Sequence, residues 1–302
     1  MSTSPLDDSH SGLNRGVAPV TYGVGDRPPR GDYADARADY TCEQHWHRHT
    51  PGEHALYRRL HERQASRLPG LACEAFIRAL GELGSPEAIP EFDRLSERLH
   101  RATGWTVVAV PGLIPEEAFF SLLAQRRFPV TRWLRREDEF DYIVEPDVFH
   151  DLFGHVPLLF DPVFADYMQA YGAGGLKASR LHACEHLARL YWHTVEFGLI
   201  ASEDGQSVRA YGAGLLSSAG ELVHSVRSPR PHRIGFDLRR IMRTRYRIDD
   251  FQPAYFVIRS FDELFEATAP DFEPLYREVS VMPEIEAGER VPSDRIWTPA
   301  VA

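Results

Sequence analysis

Only three cysteines occur in the 302 residues, Cys42, Cys73 and Cys184, and they are scattered with no CxxC pair. An odd, dispersed set excludes a disulfide framework and a zinc ribbon and points to a reducing cytoplasm. No run of about 18 apolar residues exists and the N-terminus has no apolar h-region, so neither membrane insertion nor secretion is expected. Positive charge is outweighed, with 34 Lys and Arg against 44 Asp and Glu and a formal net charge of -10. That balance argues against nucleic acid or an anionic membrane as partner and fits a protein that handles small molecules. Nucleotide-loop patterns are missing too: the glycines of AYGAGLLSS, residues 210–218, follow neither GxGxxG nor GxxxxGKS/T and read as a tight turn. With no internal repeat and no linker in the middle, one domain is expected, ample for a substantial core.

What is present is mostly helical periodicity. Residues 1–40 are rich in Ser, Gly, Pro, Asp and Arg and read as a flexible tail; His45, His47 and His49 alternate around Trp46 just after it. TPGE at residue 50 supplies an N-cap, a proline and a capping glutamate for a helix carrying Leu56 and Leu60. Helices follow over 71–83, over Phe92, Leu95 and Leu99 as far as Gly104, and over Phe119, Phe120 and Leu123, with a β-branched strand at 107–110. RRFPVTRWLRR, residues 126–136, reads as a half-buried strand or loop. Asp161 and Pro162 open a helix through Tyr171 that should stop in GAGG, and a longer helix is expected from Leu181 to Ile200. HRIGFDLRRIMRTRYRID has basic helical character, SFDE at Ser260 opens a late helix, and the chain loosens from about Met282. The expected organisation is a tail over 1–40, a mainly α catalytic domain over 41–282 with a few short strands, and a loose end over 283–302.

The stretch with chemistry in it is EPDVFHDLFGHVPLLF, residues 145–160, which sets His150 and His155 five residues apart with Asp151 beside the first. Neutral imidazole is the commonest ligand for divalent transition metals, although two histidines in a short window also arise by chance. A zinc hydrolase of the HExxH type needs its histidines at i and i+4. On a straight helix an i, i+5 offset separates side chains by about 140°. Both can reach one ion only if the helix bends or ends between them, a role Gly154 and Pro157 suit.

A third ligand must come from elsewhere, and LHACEHLARLYWHTVEFGLI offers Glu185, His186, His193 and Glu196. Glu196 lies between Val195 and Phe197, where an unpaired carboxylate is costly to bury and a cation removes that cost. This favours Glu196 modestly and leaves the histidines open. An arginine of residues 126–136 near such a site would suit a carboxylate ligand, which guanidinium grips with two parallel hydrogen bonds.

Taken together, RRFPVT, EPDVFHDLFGHVPLL, DPVFADYMQAYG, LYWHTVEFGL, YGAGLLSS and MRTRYRIDDFQPAYFVI resemble the pterin-dependent aromatic amino acid hydroxylases, in order and over about residues 42–280. The likeness is greatest to the bacterial branch that hydroxylates phenylalanine and consists of the catalytic domain alone. It implies a helical catalytic domain using iron(II), tetrahydrobiopterin or a related tetrahydropterin, and O2 to convert L-phenylalanine to L-tyrosine. By the same resemblance His150, His155 and Glu196 hold iron. Arg135 binds the substrate carboxylate and Asp147 orients it; Trp192 and Phe197 form the aromatic pocket, and Ser217 lies near the amino acid backbone. Gly112, Leu113, Ile114 and Phe119 face the pterin, Ala188 and Tyr191 line its far wall, and Asp151 stands where animal members carry glutamate. The regulatory domain and tetramerisation helix of the animal enzymes have no counterpart here, so a cytoplasmic monomer is expected, with a functional link to a pterin-recycling enzyme. The rivals are tryptophan or tyrosine hydroxylation by the same chemistry, zinc-dependent hydrolysis, and a catalytically silent iron or amino acid binding protein.

Overall fold

The computed structural model describes residues 29–297; the expected tail at 1–28 and the last five residues lie outside that range. Helices dominate and two small sheets interrupt them. The first helix, α1 (Pro51–Ala65), begins at the expected capping box, with the Thr50 side chain accepting from the Glu53 N–H and the Glu53 carboxylate accepting from the Thr50 N–H. The helix expected over 71–83 is shorter: α2 (Glu74–Leu80) tightens into a 3-10 turn over Gly81–Leu83. Leu95 and Leu99 of α3 (Phe92–Thr103) are fully buried, and Gly104 ends that helix in the left-handed conformation.

β1 (Thr106–Val110), α4 (Glu116–Ala124) and β2 (Arg127–Thr131) form a β-α-β unit whose strands pair in parallel from Thr106 opposite Arg127 to Val110 opposite Thr131. The first half of RRFPVTRWLRR is therefore strand and the rest loop. Pro129 is accommodated because a two-stranded sheet has an open edge for a residue without N–H.

α5 (Pro162–Arg180) starts at the Asp161 cap as expected but runs straight through GAGG. Gly172 and Gly175 are there for contact with α4. A Cβ on Gly172 would sit 2.4 Å from the Ala124 nitrogen, and one on Gly175 would sit 2.2 Å from the Phe120 ring. The single helix expected over 181–200 is three pieces: α6 (Cys184–Tyr191), a π-helical turn over Trp192–Glu196, and β3 (Leu199–Ala201). β4 (Val208–Ala210) leads into α7 (Ala213–Ser217), so the glycine-rich 210–218 segment is a short helix, followed by α8 (Glu221–Arg227). HRIGFDLRR divides into β5 (His232–Gly235) and α9 (Leu238–Arg243); after β6 (Ala254–Ile258) come α10 (Phe261–Thr268), capped by Ser260, and α11 (Glu273–Val279). The second sheet has the order β4-β3-β6-β5, with β3 antiparallel to β4 and parallel to β6.

Trp105, Tyr57, Tyr167, Tyr211 and Phe153 are among the largest side chains of one continuous core. Both described ends are tied to it, although composition grouped them with the tails. The Arg30 N–H donates to Glu145 at 3.0 Å and the Tyr33 hydroxyl to the Leu113 carbonyl at 2.8 Å. At the other end Trp297 donates to the Arg233 carbonyl at 2.7 Å and Arg240 pairs with Asp294 in a buried bridge of 2.8 Å. Single backbone bonds and one ion pair leave no hydrophobic periodicity to read.

The helix contact yields a paired test. Gly172→Ala should destabilise the fold by about 1–3 kcal/mol through overpacking. Gly174→Ala, with nothing within 4 Å of its Cβ, should be neutral or stabilise by up to about 1 kcal/mol. Urea unfolding of the two variants measures the difference.

Candidate metal centre

His150 and His155 lie on a π-helical turn, His150–His155, and Glu196 closes the second π-helical turn, Trp192–Glu196. A π-turn bonds i to i+5, so it brings residues five apart to the same side of the helix. The helix between the two histidines widens rather than breaks. Gly154 is needed for a different reason than chain relaxation: a Cβ there would lie 2.8 Å from the Ala213 carbonyl oxygen of α7. Pro157 sits in the 3-10 turn that follows.

The three side chains converge. His155 Nε2 is 3.1 Å from Glu196 Oε1, His150 Nε2 is 3.6 Å from Glu196 Oε2, and the two Nε2 atoms are 3.2 Å apart. All candidate ligand atoms fall within 4.8 Å of one another, the one such group among the described residues. Two neutral imidazoles and a carboxylate with room for further ligands suit a non-haem iron(II).

Hydrogen bonds fix which nitrogen of His150 is free. Ser217 Oγ donates to the Ala213 carbonyl at 2.8 Å, so its only proton is committed. It must then accept from His150 Nδ1–H, also at 2.8 Å, which leaves Nε2 unprotonated and facing the other two ligands. Gln64 of α1 in turn holds this corner, its Nε2 donating to the Leu216 and Ser218 carbonyls at 2.8 and 2.9 Å. Burial pulls the His150 imidazole down to about 4, keeping it neutral. For His155 burial pulls the same way, but the Glu196 carboxylate outweighs it and raises the value. Burial pushes Glu196 up, and His155 and His150 offset this to leave it below its ordinary value. A divalent ion at this point would supply the positive charge that a buried carboxylate needs beside it.

The other third-ligand candidates have different tasks. His186 Nδ1 and His193 Nε2 bond the carbonyls of Met242 and Thr244 at 2.9 and 3.2 Å, tying this helix to α9 and its exit, and Glu185 pairs with Arg189.

Next to the ligands, Asp147 is fully buried and accepts four hydrogen bonds: from the Arg135 N–H, Nε and Nη2 at 2.8–2.9 Å and from the His150 N–H at 3.0 Å. Burial pushes the Asp147 carboxyl up, and the Arg135 guanidinium more than offsets it, holding the group below its usual range. One edge of Arg135 is thus committed. Nη1 has no acceptor among the described residues, and Arg135 borders a cavity of about 590 Å³ together with His150, Trp192, Glu196, Phe197 and Ser217. Trp192 meets Phe197 in a tilted contact at 4.8 Å and stacks on Tyr246 at 4.3 Å. Tyr246 went unnoticed in the sequence because nothing in the spacing links it to residue 192. The same holds for Glu221 and Gln252, which line the cavity itself.

The residues expected at a pterin do not line that cavity. Phe119 meets Tyr191 edge-on at 5.7 Å, and Tyr191 stacks on His155 at 6.2 Å, an aromatic path from α4 to a metal ligand. Ala188 is half-buried one turn earlier on α6, and the 112–114 loop lies under the N-terminal segment. Asp151 is 8% exposed, accepts from the Thr131 N–H of β2 at 2.7 Å, and is pushed by burial up to about 7.

The chain matches the family described as biopterin-dependent aromatic amino acid hydroxylase over residues 27–282. It is 59% identical over 261 residues to a phenylalanine-4-hydroxylase of Ralstonia nicotianae, covering 86% of this chain and 83% of that one. To a phenylalanine-4-hydroxylase of Caulobacter vibrioides it is 51% identical, covering 91% of this chain and 92% of that one. A crystal structure of phenylalanine hydroxylase from Chromobacterium violaceum bound to cobalt superposes with a TM-score of 0.84 at 54% identity, covering 86% of this chain and 93% of that one.

Two substitutions test the geometry. Ser217→Ala should weaken metal binding roughly 10- to 100-fold by releasing the His150 tautomer, measured by competition with a chromogenic chelator. Asp147→Asn should cost about 3–5 kcal/mol in urea unfolding, because it leaves the buried Arg135 charge without its counter-ion.

Proposed function

The chain belongs to the biopterin-dependent aromatic amino acid hydroxylases, and we infer from that membership and from its metal centre that it is a phenylalanine 4-monooxygenase. It converts L-phenylalanine to L-tyrosine with a tetrahydropterin and O2 at a non-haem iron(II) site. The observation that carries this reading is that His150, Glu196 and the half-committed guanidinium of Arg135 border one cavity.

His150, His155 and Glu196 would hold the iron, which when bound supplies, with the pterin, the oxygen-activating chemistry that side chains lack. Arg135 grips the substrate carboxylate with the edge that Asp147 leaves free. Because Asp147 also holds the His150 backbone, the anchor for the substrate and the first ligand keep a fixed relation. Trp192 and Phe197 wall the aromatic ring, and Ser217 keeps His150 in its ligating form. The backbone of Gly112, Leu113 and Ile114, the Phe119 ring, Ala188, Tyr191 and Asp151 would receive the pterin, tetrahydrobiopterin or a relative.

The working unit runs over the 41–282 read from the sequence, together with the 30–40 and 285–297 segments bound to it. The protein acts as a monomer in the cytoplasm beside a pterin-recycling enzyme. Support for the monomer is that Tyr142, Val144, Ile248 and Phe251, half of the exposed large apolar residues described, gather at the cavity rather than on a flat face. Support for the compartment is that Cys42, Cys73 and Cys184 are all free thiols; no described helix is long and apolar enough to cross a membrane.

Anaerobic iron loading followed by O2 and tetrahydropterin tests the assignment. Phenylalanine should give tyrosine with higher kcat/KM than tryptophan gives 5-hydroxytryptophan or tyrosine gives dihydroxyphenylalanine. Glu196→Ala should lose most bound iron and tyrosine formation by roughly 100-fold or more, beyond the effect of losing a supporting partner. Stoichiometric iron and normal turnover in that variant would contradict the ligand set.

A further inference from the structure

The cavity is bordered by an irregular loop between α9 and β6 that carries Arg247, Ile248, Asp250 and Phe251. Its tip is open to solvent, Ile248 being 59% and Phe251 41% exposed. A loop this exposed holds one shape only if its base is fixed. Gln252, 2% exposed, closes it on itself. The Gln252 Nε2 donates to the Arg247 carbonyl at 2.6 Å, and its Oε1 accepts from the Arg247 N–H at 3.1 Å.

The base is fastened by a carboxylate. Glu221 in the first turn of α8 is 7% exposed, and its Oε1 accepts from the Gln252 N–H at 2.9 Å and from the Tyr255 hydroxyl at 2.8 Å. The Phe251 ring lies 5.1 Å from His224 on the same helix. Glu221 opens α8, which a short turn joins to α7, whose last residue, Ser217, accepts from His150. The loop is therefore referenced to the corner that fixes a metal ligand. A buried carboxylate is an expensive way to join a helix to a strand: burial pushes the Glu221 carboxyl up to about 7, and an apolar pair would pack there at less cost. A carboxyl group here makes sense if the direction of the two bonds that its Oε1 accepts matters.

We propose that Glu221 is a positioning residue for the hydroxylation: through Gln252 it sets the 247–251 loop that walls the amino acid cavity, and so sets amino acid affinity and the discrimination among aromatic rings. It has no part in holding the metal. This rests on the cavity being the amino acid site.

The test uses the full-length, iron-loaded enzyme with Glu221→Leu, which keeps volume and removes the acceptor, and Glu221→Gln, whose amide oxygen can still accept both bonds. The expected result for Glu221→Leu is a KM for phenylalanine, and a Kd by anaerobic calorimetry, raised roughly tenfold, as for one lost buried hydrogen bond. The KM for the tetrahydropterin and the iron stoichiometry should stay within about twofold, and the phenylalanine-to-tryptophan ratio of kcat/KM should change. Glu221→Gln should restore KM to within about threefold of the parent. Should Glu221→Leu not fold, Gln252→Ala carries the same expectation, because it opens the loop and leaves Glu221 in place. A variant with a lowered Tm but unchanged KM, Kd and ring preference would reduce Glu221 to a structural role and overturn the proposal. Failure of the parent enzyme to bind phenylalanine at all would overturn it together with the cavity assignment; binding without tyrosine formation would overturn only the functional reading, and the Kd comparison would still decide this one.

Discussion

A carboxylate enclosed with two imidazoles is the constraint on which the rest depends. Glu196 sits 3.1 and 3.6 Å from the two histidine nitrogens, in surroundings that penalise charge. A carboxylate in such surroundings needs positive charge beside it. A divalent cation removes the conflict, and the neighbouring residues are arranged so that the lone pairs point at it. Ser217 has a single proton, given to Ala213, and this alone determines that His150 presents Nε2.

From that centre the order extends outward through buried hydrogen bonds rather than through apolar packing. Asp147 grasps the His150 backbone and the Arg135 guanidinium together, so the metal ligand and the substrate anchor cannot shift independently. Gln64 reaches from α1 to the Leu216 and Ser218 carbonyls, and Glu221 reaches from α8 to the cavity loop. Each is a buried polar group committed to holding one backbone position, which costs stability relative to an apolar core and gives direction in return. The apolar body supplies the rigid frame: α5 lies against α4 at glycine distance, and the π-turns are closed in by α7.

Much of this frame and of the site was legible in the sequence, and the reasons for the exceptions are physical. Caps were readable because Thr50, Asp161 and Ser260 act within three residues of themselves. The i, i+5 histidine spacing was readable as an anomaly for an α-helix, and the π-turn is its resolution. Composition favoured Glu196 without deciding it, since His186 and His193 reveal their backbone partners only once α9 is in place. GAGG misled because glycine signals a helix end and a close helix contact with the same letters, and only α4 distinguishes them. Tyr246, Glu221 and Gln252 leave no local signal: Tyr246 backs the cavity residue Trp192, and Glu221 and Gln252 line the cavity, through contacts between residues far apart in the chain. The bound segments at 30–40 and 285–297 escaped notice for the same reason, being held by isolated backbone bonds and ion pairs.

The most direct test of the ligand set is X-ray absorption at the iron edge of the iron-loaded protein, comparing the parent with His155→Ala. The expected spectrum has a shell of nitrogen and oxygen donors without sulphur and the outer scattering of two imidazoles, reduced to one by the substitution. A sulphur shell, or imidazole scattering that His155→Ala leaves unchanged, would contradict a centre built from His150, His155 and Glu196.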